Sequence, residues 1–373
     1  MTDPATLAAR LRTRIAQSGP ITFHDWMAAA LYDEHAGYYN RADLPHWGRA
    51  GDYRTSPERS PVFAATCARY FADLHAELGT PARWTLIECG AGAGDFAAEV
   101  LATFARDYSQ VFAATRYVLD EQSADARARA QTRLATYAAR VEFRPLSDVS
   151  APVGIVFANE LLDALPVHRV VMRGGGLREL CVGLDEEGAF VWAEHAPSTP
   201  RLAEHFARLD VTLAEGQTAE VNLAAADWLA RAAAAIETGY LVIFDYGADA
   251  EELYDVTLRP AGTLRAFQGH QLRDDLLAHP GAQDLTATVN WTQIRQAAAA
   301  AGLSTVRFAR QDEFLLRAGL LAQLEQMTAR LNSEAERIAL RVSARELILP
   351  GGMSQSFQVL VLRKGGTAVT SDE

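Results

Sequence analysis

The spacing of apolar residues predicts helices at the start of the chain. Residues 3–18 carry leucine and isoleucine at intervals of four, which predicts an amphipathic helix. Residues 23–31 place four large apolar side chains on one helical face, with Thr22 as a suitable N-cap. Ser56-Pro57 predicts the start of a third helix that would run to about Leu78. The first 80 residues therefore read as a helical N-terminal cap.

From residue 84 onward, short apolar runs alternate with helical patterns. The runs that predict strands are Trp84–Cys89, Arg116–Leu119, Val141–Phe143, Gly154–Ala158, Tyr240–Asp245, Ser304–Phe308 and Gln355–Leu362. Strands that alternate with helices predict an α/β fold whose parallel sheet is covered on both faces.

Long stretches between some of the strands predict insertions. About 80 residues separate the fourth and fifth runs, more than one crossover helix needs, and they contain hairpin-like patterns. The expected organisation is a cap at 1–80, a first part of the core at 81–165, an inserted substrate-side lobe at 166–237, a second part of the core at 238–363 with an insertion at about 247–290, and a tail at 364–373.

A glycine-rich turn follows the first strand of the core. Residues 88–96 read Glu-Cys-Gly-Ala-Gly-Ala-Gly-Asp-Phe, and such glycines let a backbone approach a ligand closely. The alternative is a tight turn that binds nothing. The strand before the turn, the helix after it and an acidic residue at the end of the next strand favour a nucleotide-type cofactor site.

Charge at this turn favours S-adenosylmethionine over NAD. Asp95 occupies the place of the third glycine in a dinucleotide fingerprint, where it would repel a pyrophosphate. S-adenosylmethionine carries a sulfonium and an ammonium and no phosphate. Glu121, 31 residues after Gly90, is predicted to accept both ribose hydroxyls. Asp120 precedes it, and the alternation of a strand allows only one of the two to face the ligand.

Two further acids follow the fourth strand. Glu160 and Asp163 come just after Asn159, and ligands of open parallel sheets bind outside the carboxyl ends of the strands. On a turn of helix, acids at i and i+3 share a face and would clamp a cationic substrate. The alternative is a helix N-terminus whose dipole favours acids, and on spacing alone that alternative is preferred.

Composition excludes several classes of function. Lys+Arg is 35 and Asp+Glu is 47, so the net charge of −12 argues against binding to nucleic acid or anionic membranes by bulk electrostatics. No stretch approaches 18 apolar residues, so no membrane span is expected. Three widely spaced cysteines and the absence of metal-binding histidine spacings predict neither disulfides nor a metal site, and they fit a reducing cytoplasm.

The ordered short motifs resemble the MidA family, which comprises the mitochondrial complex I assembly-factor arginine methyltransferases and their bacterial relatives. The resemblance runs from about Ile21 to Leu362. It includes Leu31-Tyr32 through Gly37-Tyr38-Tyr39, Gly51-Asp52-Tyr53-Arg54-Thr55-Ser56-Pro57-Glu58, the glycine turn, Glu121-Gln122-Ser123, Ala158 to His168, Asp245-Tyr246-Gly247 and Asp284-Leu285-Thr286-Ala287.

The resemblance implies a class I (Rossmann-like) methyltransferase with a seven-stranded, mostly parallel sheet, a helical cap and inserted lobes. We expect the cofactor S-adenosylmethionine to be bound by Thr55, Ser56, Glu88, Gly90, Ala91, Gly92, Gly94, Glu121, Gln122, Asp148 and Asn159. Asp148 would bind the adenine amine, although a loop or helix-cap role is an equal alternative. Turn and cap chemistry is the alternative for Asp52, Thr55 and Ser56.

For the substrate, the expected contacts are Tyr38, Tyr39, Asp52, His168 and His270, and the expected catalytic residues are Glu160 and Asp163. A buried aromatic corner is an equal alternative for the tyrosines, and histidines more often serve in packing or on the surface.

The resemblance also implies methyl transfer to an arginine of a protein or peptide. Departures near the cofactor leave the acceptor open, because Ala93 stands where the family usually has a basic residue and Asp95 where it has threonine. The alternatives are a biosynthetic small-molecule methyltransferase and a non-catalytic assembly or binding factor. The sequence leaves the oligomeric state open, with a homodimer among the expectations.

Overall fold

The structure of the chain, a computed structural model, describes residues 6–41, 60–269, 271–349 and 356–365. Asp52, Thr55, Ser56 and His270, which were predicted to bind cofactor or substrate, lie outside the described residues. The chain divides into two compact units. One, which we call the lobe unit, comprises 1–53, 162–228 and 247–296, and the other, the core unit, comprises 54–161, 229–246 and 297–373.

The helices are Leu7–Ser18 (α1), Phe23–Tyr32 (α2), Pro61–Glu77 (α3), Asp95–Asp107 (α4), Ser109–Ala114 (α5), Ala124–Arg133 (α6), Arg201–Leu209 (α7), Leu223–Ala234 (α8), Ala250–Leu253 (α9), Trp291–Ala300 (α10), Gln311–Arg317 (α11), Leu320–Arg330 (α12) and Glu334–Glu346 (α13).

The strands are Ile21–Thr22 (β1), Trp84–Cys89 (β2), Thr115–Asp120 (β3), Val141–Phe143 (β4), Ala151–Asn159 (β5), His168–Arg173 (β6), Gly176–Leu184 (β7), Phe190–His195 (β8), Thr218–Val221 (β9), Ile236–Ala248 (β10), Arg265–Gln268 (β11), Gln271–Arg273 (β12), Asp284–Thr286 (β13), Val289–Asn290 (β14), Leu303–Arg310 (β15) and Phe357–Lys364 (β16).

The core unit is built on a sheet with the strand order β15-β16-β10-β5-β2-β3-β4. The five strands from β10 to β4 pair in parallel, whereas β16 runs antiparallel to both of its neighbours. The prediction of a seven-stranded, mostly parallel sheet is confirmed. The chain runs outward from β2 to β3 and β4 on one side of the sheet and from β5 to β10 on the other. The strand order therefore reverses between β2 and β5, and the carboxyl ends of these two strands form a topological switch point, where such sheets bind ligands.

The central strands form because they are apolar and covered on both faces. All six residues of β2 are buried, and β5 and β10 are buried along most of their lengths. Phe96 of α4 stacks on Phe157 of β5 at 4.2 Å between ring centroids, which fixes the helix after the glycine turn against the sheet.

Helix α3 belongs to the core unit and not to the predicted N-terminal cap. It begins at Pro61 with Ser60 as its N-cap, whose side chain accepts a hydrogen bond from the amide of Val62. Phe63 and Phe71 of this helix are fully buried in the same apolar cluster as the central strands. Apolar packing therefore assigns residues 61–77 to the core unit, whereas the expectation ended the cap at residue 80.

The lobe unit gathers three separate stretches of the chain. Strands β1, β7, β6 and β9 form an antiparallel sheet with β8 paired to β7, and β12, β11 and β13 form a second one. The predicted apolar faces of the first two helices are buried, including Leu11 of α1 and Trp26 of α2. The predicted cap, inserted lobe and later insertion thus contribute to one compact unit.

Candidate cofactor site and active site

The glycine turn between β2 and α4 has a left-handed backbone at each of its three glycines. The φ angles of Gly90, Gly92 and Gly94 are 70°, 53° and 78°. A Cβ on Gly94 would lie 3.0 Å from the Cβ of Ala130, so this glycine permits close packing of helix α6. A Cβ on Gly92 would meet no described atom within 4 Å. The turn therefore combines a packing glycine with one whose surface is open to a ligand.

Glu121 organises this turn. Its carboxylate accepts a hydrogen bond from the amide of Gly92 at 2.7 Å and another from the amide of Ser123 at 2.7 Å. Burial raises the pKa of Glu121, and the two amides oppose that effect. The carboxylate of Asp120 instead accepts a hydrogen bond from the backbone amide of Leu146. Only one of the two neighbouring acids therefore faces the glycine turn, as strand alternation predicts.

Glu88 lies near the carboxyl end of β2 and is 4% exposed. The hydroxyl of Tyr117 on β3 donates a hydrogen bond to its Oε2 at 2.7 Å. The pKa of Glu88 is raised to about 8, chiefly by burial; the Tyr117 hydrogen bond opposes this rise, and the Glu121 carboxylate adds to it. The two acids of the candidate site therefore have different environments.

The negative charge of Asp95 is less isolated than the sequence predicts. The carboxylate of Asp95 forms an ion pair with Arg133 at the end of α6, so its negative charge is partly compensated. Repulsion of a pyrophosphate would be weaker than the sequence suggested, because the arginine lies far along the chain and its partner was not evident from spacing.

Two predicted cofactor contacts lie on the surface. Gln122 is exposed, and its carbonyl accepts a hydrogen bond from Arg127. Asp148 is exposed at the end of a 3-10 turn after β4, and the hydroxyl of Ser147 donates to its Oδ1 at 3.1 Å. The loop role that was the alternative for Asp148 agrees with this local geometry, and the adenine contact stays a prediction.

The segment after β5 is not helical, which corrects the expectation for Glu160 and Asp163. Residues 160–165 form bends and turns, and Glu160 has a φ of 52°. The amide of Glu160 donates to the carbonyl of Phe244 on β10 at 2.9 Å, so the strand pairing extends one residue and the chain then turns. Such a conformation is uncommon outside glycine and is found disproportionately at functional sites.

Asn159 and Glu160 are linked at the end of β5. The amide nitrogen Nδ2 of Asn159 donates to Oε1 of Glu160 at 3.2 Å. Within the part of the chain that the structure describes, Oδ1 of Asn159 is buried and has no hydrogen-bond partner. A buried carbonyl oxygen of this kind is suited to accept a donor from a ligand.

Asp163 and the predicted substrate contacts Tyr38, Tyr39 and His168 belong to the lobe unit. Asp163 is buried, and its carbonyl accepts the amide of Ala287 at 2.9 Å. Tyr38 is fully buried, which agrees with the aromatic-corner alternative. Tyr39 donates its hydroxyl to Oδ1 of Asp284 at 2.9 Å.

His168 has structural partners within the lobe unit. Its Nδ1 lies 2.7 Å from Oε1 of the buried Glu179, and its ring stacks on that of His24 at 4.9 Å between centroids. Hydrogen bonds from His168 and Ser198 hold the pKa of Glu179 below its ordinary value despite burial. These contacts agree with the packing alternative for His168.

Sequence reasoning missed Tyr117 and Leu161. Tyr117 orients Glu88, and the Cδ1 of Leu161 lies 3.1 Å from where a Cβ on Gly90 would be. Strand periodicity held a signal for Tyr117, because Tyr117, Leu119 and Glu121 alternate onto one face of the sheet. For Leu161 the sequence held none, because its position depends on the turn at Glu160.

The described residues show neither a metal-binding cluster nor a helix that could span a membrane. No described group of three or more histidine, cysteine, aspartate or glutamate residues is placed to hold a metal ion. No described helix is both long and apolar enough to cross a membrane.

Comparison with known proteins decides the family. The family model of S-adenosyl-L-methionine-dependent methyltransferases matches residues 66–309. The chain belongs to this family. It is 31% identical to a Burkholderia thailandensis protein whose crystal structure contains S-adenosyl-homocysteine, with a TM-score of 0.85 over 97% of this chain and 92% of that one. The enzyme is thus a methyltransferase that uses S-adenosylmethionine, and the prediction of that cofactor is confirmed.

The similarity to named relatives covers nearly the whole length of the chain. The Drosophila melanogaster homologue of the mitochondrial protein arginine methyltransferase NDUFAF7 is 28% identical over 99% of this chain and 87% of its own length. The human NDUFAF7 protein is 27% identical over 96% of this chain and 84% of its own length. The resemblance to the MidA family is confirmed by these matches.

Proposed function

We propose that the enzyme transfers the methyl group of S-adenosylmethionine to a guanidinium nitrogen of an arginine in a protein or peptide. The observation that supports this proposal is the similarity to relatives named protein arginine methyltransferase, which covers 99% of this chain in the Drosophila match. Because that similarity includes the lobe unit as well as the core unit, it extends beyond the part of the chain expected to bind the cofactor.

The chemistry of arginine methylation explains what the enzyme must supply. Removing the guanidinium proton in advance at pH 7 would cost about 9 kcal/mol, from a pKa of roughly 13.8. A route in which the guanidinium stays charged, and loses its proton as the methyl group arrives, avoids that cost. Carboxylates stabilise the cation and orient its nitrogen behind the methyl group.

Glu160 and Asp163 are the proposed carboxylates. Glu160 follows the carboxyl end of β5, where parallel sheets bind their ligands, and its left-handed backbone is the feature that most favours a functional role. Asp163 follows three residues later and is buried. The chain's net charge of −12 suits a cationic target in general terms.

A labelling experiment tests the acceptor class. The purified enzyme is incubated with S-adenosylmethionine carrying a radioactive methyl group and a lysate from cells that lack the gene. We expect label in a protein band, and mass spectrometry of that band should find methylarginine. Gly92→Val serves as the control that should lose cofactor binding, and Glu160→Gln as the variant that should keep it and lose transfer.

The kind of molecule that carries the radioactive label distinguishes the alternative functions. Label confined to small molecules would contradict the proposal and support a biosynthetic methyltransferase. Label on another residue type in the protein would keep the methyltransferase and exclude arginine. Once a labelled peptide is known, replacing its arginine by lysine must abolish the label.

Location and assembly remain predictions. The described cysteines, Cys67, Cys89 and Cys181, are buried and form no disulfide with one another, which is compatible with the cytoplasm expected from the sequence. The named relatives are mitochondrial, so their names do not support that location. A homodimer is likewise proposed only from the sequence, and sedimentation of the purified protein tests it.

A further inference from the structure

A buried acid and a buried tyrosine meet beside the glycine turn. Glu88 on β2 and Tyr117 on β3 are 4% and 0% exposed, and the tyrosine hydroxyl donates to Oε2 of the acid at 2.7 Å. The residues that pair with Glu88 in register on the two neighbouring strands, Leu119 and Phe157, are apolar. Glu88 therefore sits in an apolar part of the sheet, where the hydroxyl of Tyr117 orients it.

Among the described residues, the titratable groups that act on this pair supply no positive charge. Tyr117 and Glu121 act directly on Glu88, and Cys67 of α3 acts on Tyr117. Asp95 at the start of α4 is paired with Arg133. Among the residues that the structure describes, no arginine, lysine or histidine forms an ion pair with Glu88. A buried carboxylate in such surroundings is costly, so the group takes up a proton instead.

The cofactor brings the missing charge to this end of the sheet. S-adenosylmethionine carries an ammonium and a sulfonium, and Glu88 is two residues before Gly90, at the start of the glycine turn. A cation next to a carboxyl group favours its ionised form. The empty and occupied sites should therefore differ in the protonation of this acid.

We propose that binding of S-adenosylmethionine releases a proton from Glu88, and that Tyr117 is a positioning residue that holds the Glu88 carboxylate toward the positive charge of the cofactor. The O–H bond of the carboxylic acid breaks, the proton passes to the solvent, and the carboxylate then pairs with the cofactor. No electron is transferred in this step. The proposal rests on the cofactor of this enzyme and not on the identity of its methyl acceptor.

The release of this proton determines how the affinity for the cofactor changes with pH. Burial holds the pKa of Glu88 in the empty protein at about 8, and a cation lowers it in the complex. Below that pH, each proton that must leave weakens binding, so affinity rises as pH rises. The dissociation constant should be measured between pH 6 and pH 7.5, because the amino group of the cofactor is still mostly protonated in this range.

Calorimetry in buffers of different ionisation enthalpy measures the released proton directly. We expect between one half and one proton per cofactor at about pH 7, and a dissociation constant that falls roughly tenfold from pH 6 to pH 7. Glu88→Gln keeps the shape of the side chain. It should bind more weakly, release no proton, and show a dissociation constant that changes less than about twofold over the same range.

Infrared difference spectroscopy tests Tyr117 separately. The empty wild-type protein should show the C=O band of a protonated carboxyl group that disappears when the cofactor binds, and this band should be missing in Glu88→Gln. Tyr117→Phe removes the hydrogen bond, so it should shift this band and weaken binding. Tyr240→Phe is the matched control, because it removes a similar hydrogen bond, from the Tyr240 hydroxyl to Glu77 at 2.8 Å, on strand β10, which β5 separates from β2.

Several results would overturn the proposal. If the wild-type protein releases no proton, or if Glu88→Gln releases as many as the wild type, Glu88 is not the acid that loses it. If Tyr117→Phe leaves the carboxyl band in place and binding unchanged, the tyrosine does not position the acid. The wild-type measurements alone can refute proton release even if a variant does not fold.

Discussion

Replacing Glu121 by alanine should separate cofactor binding from folding. The change removes the carboxylate that accepts the amides of Gly92 and Ser123, both at 2.7 Å. In the complex it also removes the predicted acceptor for the ribose hydroxyls. We expect the Glu121→Ala protein to fold and to bind S-adenosyl-homocysteine much more weakly than the wild type.

The size of the effect can be worked from these contacts. A hydrogen bond to a charged group contributes about 1.5–3 kcal/mol, so losing the ribose acceptor should weaken binding by roughly 10- to 150-fold. The effect on unfolding should be smaller. Burial raises the pKa of Glu121, which means that keeping the carboxylate in the empty protein has a cost that offsets part of its two amide bonds.

Calorimetry with S-adenosyl-homocysteine and urea denaturation of the same samples measure the two quantities. Glu142→Ala is the matched control, because it removes a carboxylate from the neighbouring strand β4, where Glu142 pairs with Arg116 away from the glycine turn. The control should bind normally. Wild-type affinity in Glu121→Ala would show that the ribose lies elsewhere, and an equal loss in both variants would show that the effect is not specific to the turn.

Three further changes test neighbouring features. Gly92→Val places a branched side chain at a φ of 53° on the open surface of the turn, so calorimetry should find cofactor binding lost; unchanged binding would remove the turn from the site. Glu160→Gly should raise the free energy of unfolding by about 1 kcal/mol by relieving the left-handed backbone, and should abolish methyl transfer; an active variant would contradict the catalytic role. Because the pKa of Glu88 is raised in the folded, cofactor-free protein, protonation of Glu88 contributes to the free energy of unfolding. This contribution is complete at pH values below the ordinary pKa of 4.5 and disappears as the pH rises through about 8. Glu88→Gln should therefore be more stable than the wild type in urea at pH 9, and equal stability there would contradict the assignment.

The core of the fold could be predicted because its strands are buried on both faces. Strands β2, β5 and β10 appear in the sequence as short apolar runs, and no distant residue is needed to recognise them. The glycine turn and the acid at the end of the next strand were also local signals, since both follow from where a strand ends. The geometry around Gly92 and Glu121 agrees with that interpretation.

Other features depended on contacts that the sequence does not display. The spacing of Glu160 and Asp163 favoured a helix, but pairing of the Glu160 amide with Phe244 prolongs the strand and turns the chain. The sequence suggests that the charge of Asp95 is uncompensated, but Asp95 forms an ion pair with Arg133 in the fold. Helix α3 follows the cap in sequence, yet its apolar face packs on the central sheet. In each case tertiary contacts overrode a local pattern.

The two acids at the glycine turn show why counting charges in the sequence misdescribes this site. Glu121 receives two backbone amides, which favour its ionised form and suit it to accept neutral hydroxyls. Glu88 receives one tyrosine hydroxyl in apolar surroundings, which leaves it protonated until a cation arrives. Burial raises the pKa of both acids, but at Glu121 two backbone amides oppose that rise, so the two acids can take different roles. The empty site then carries less negative charge than its sequence suggests, and the cofactor itself completes the electrostatics that bind it.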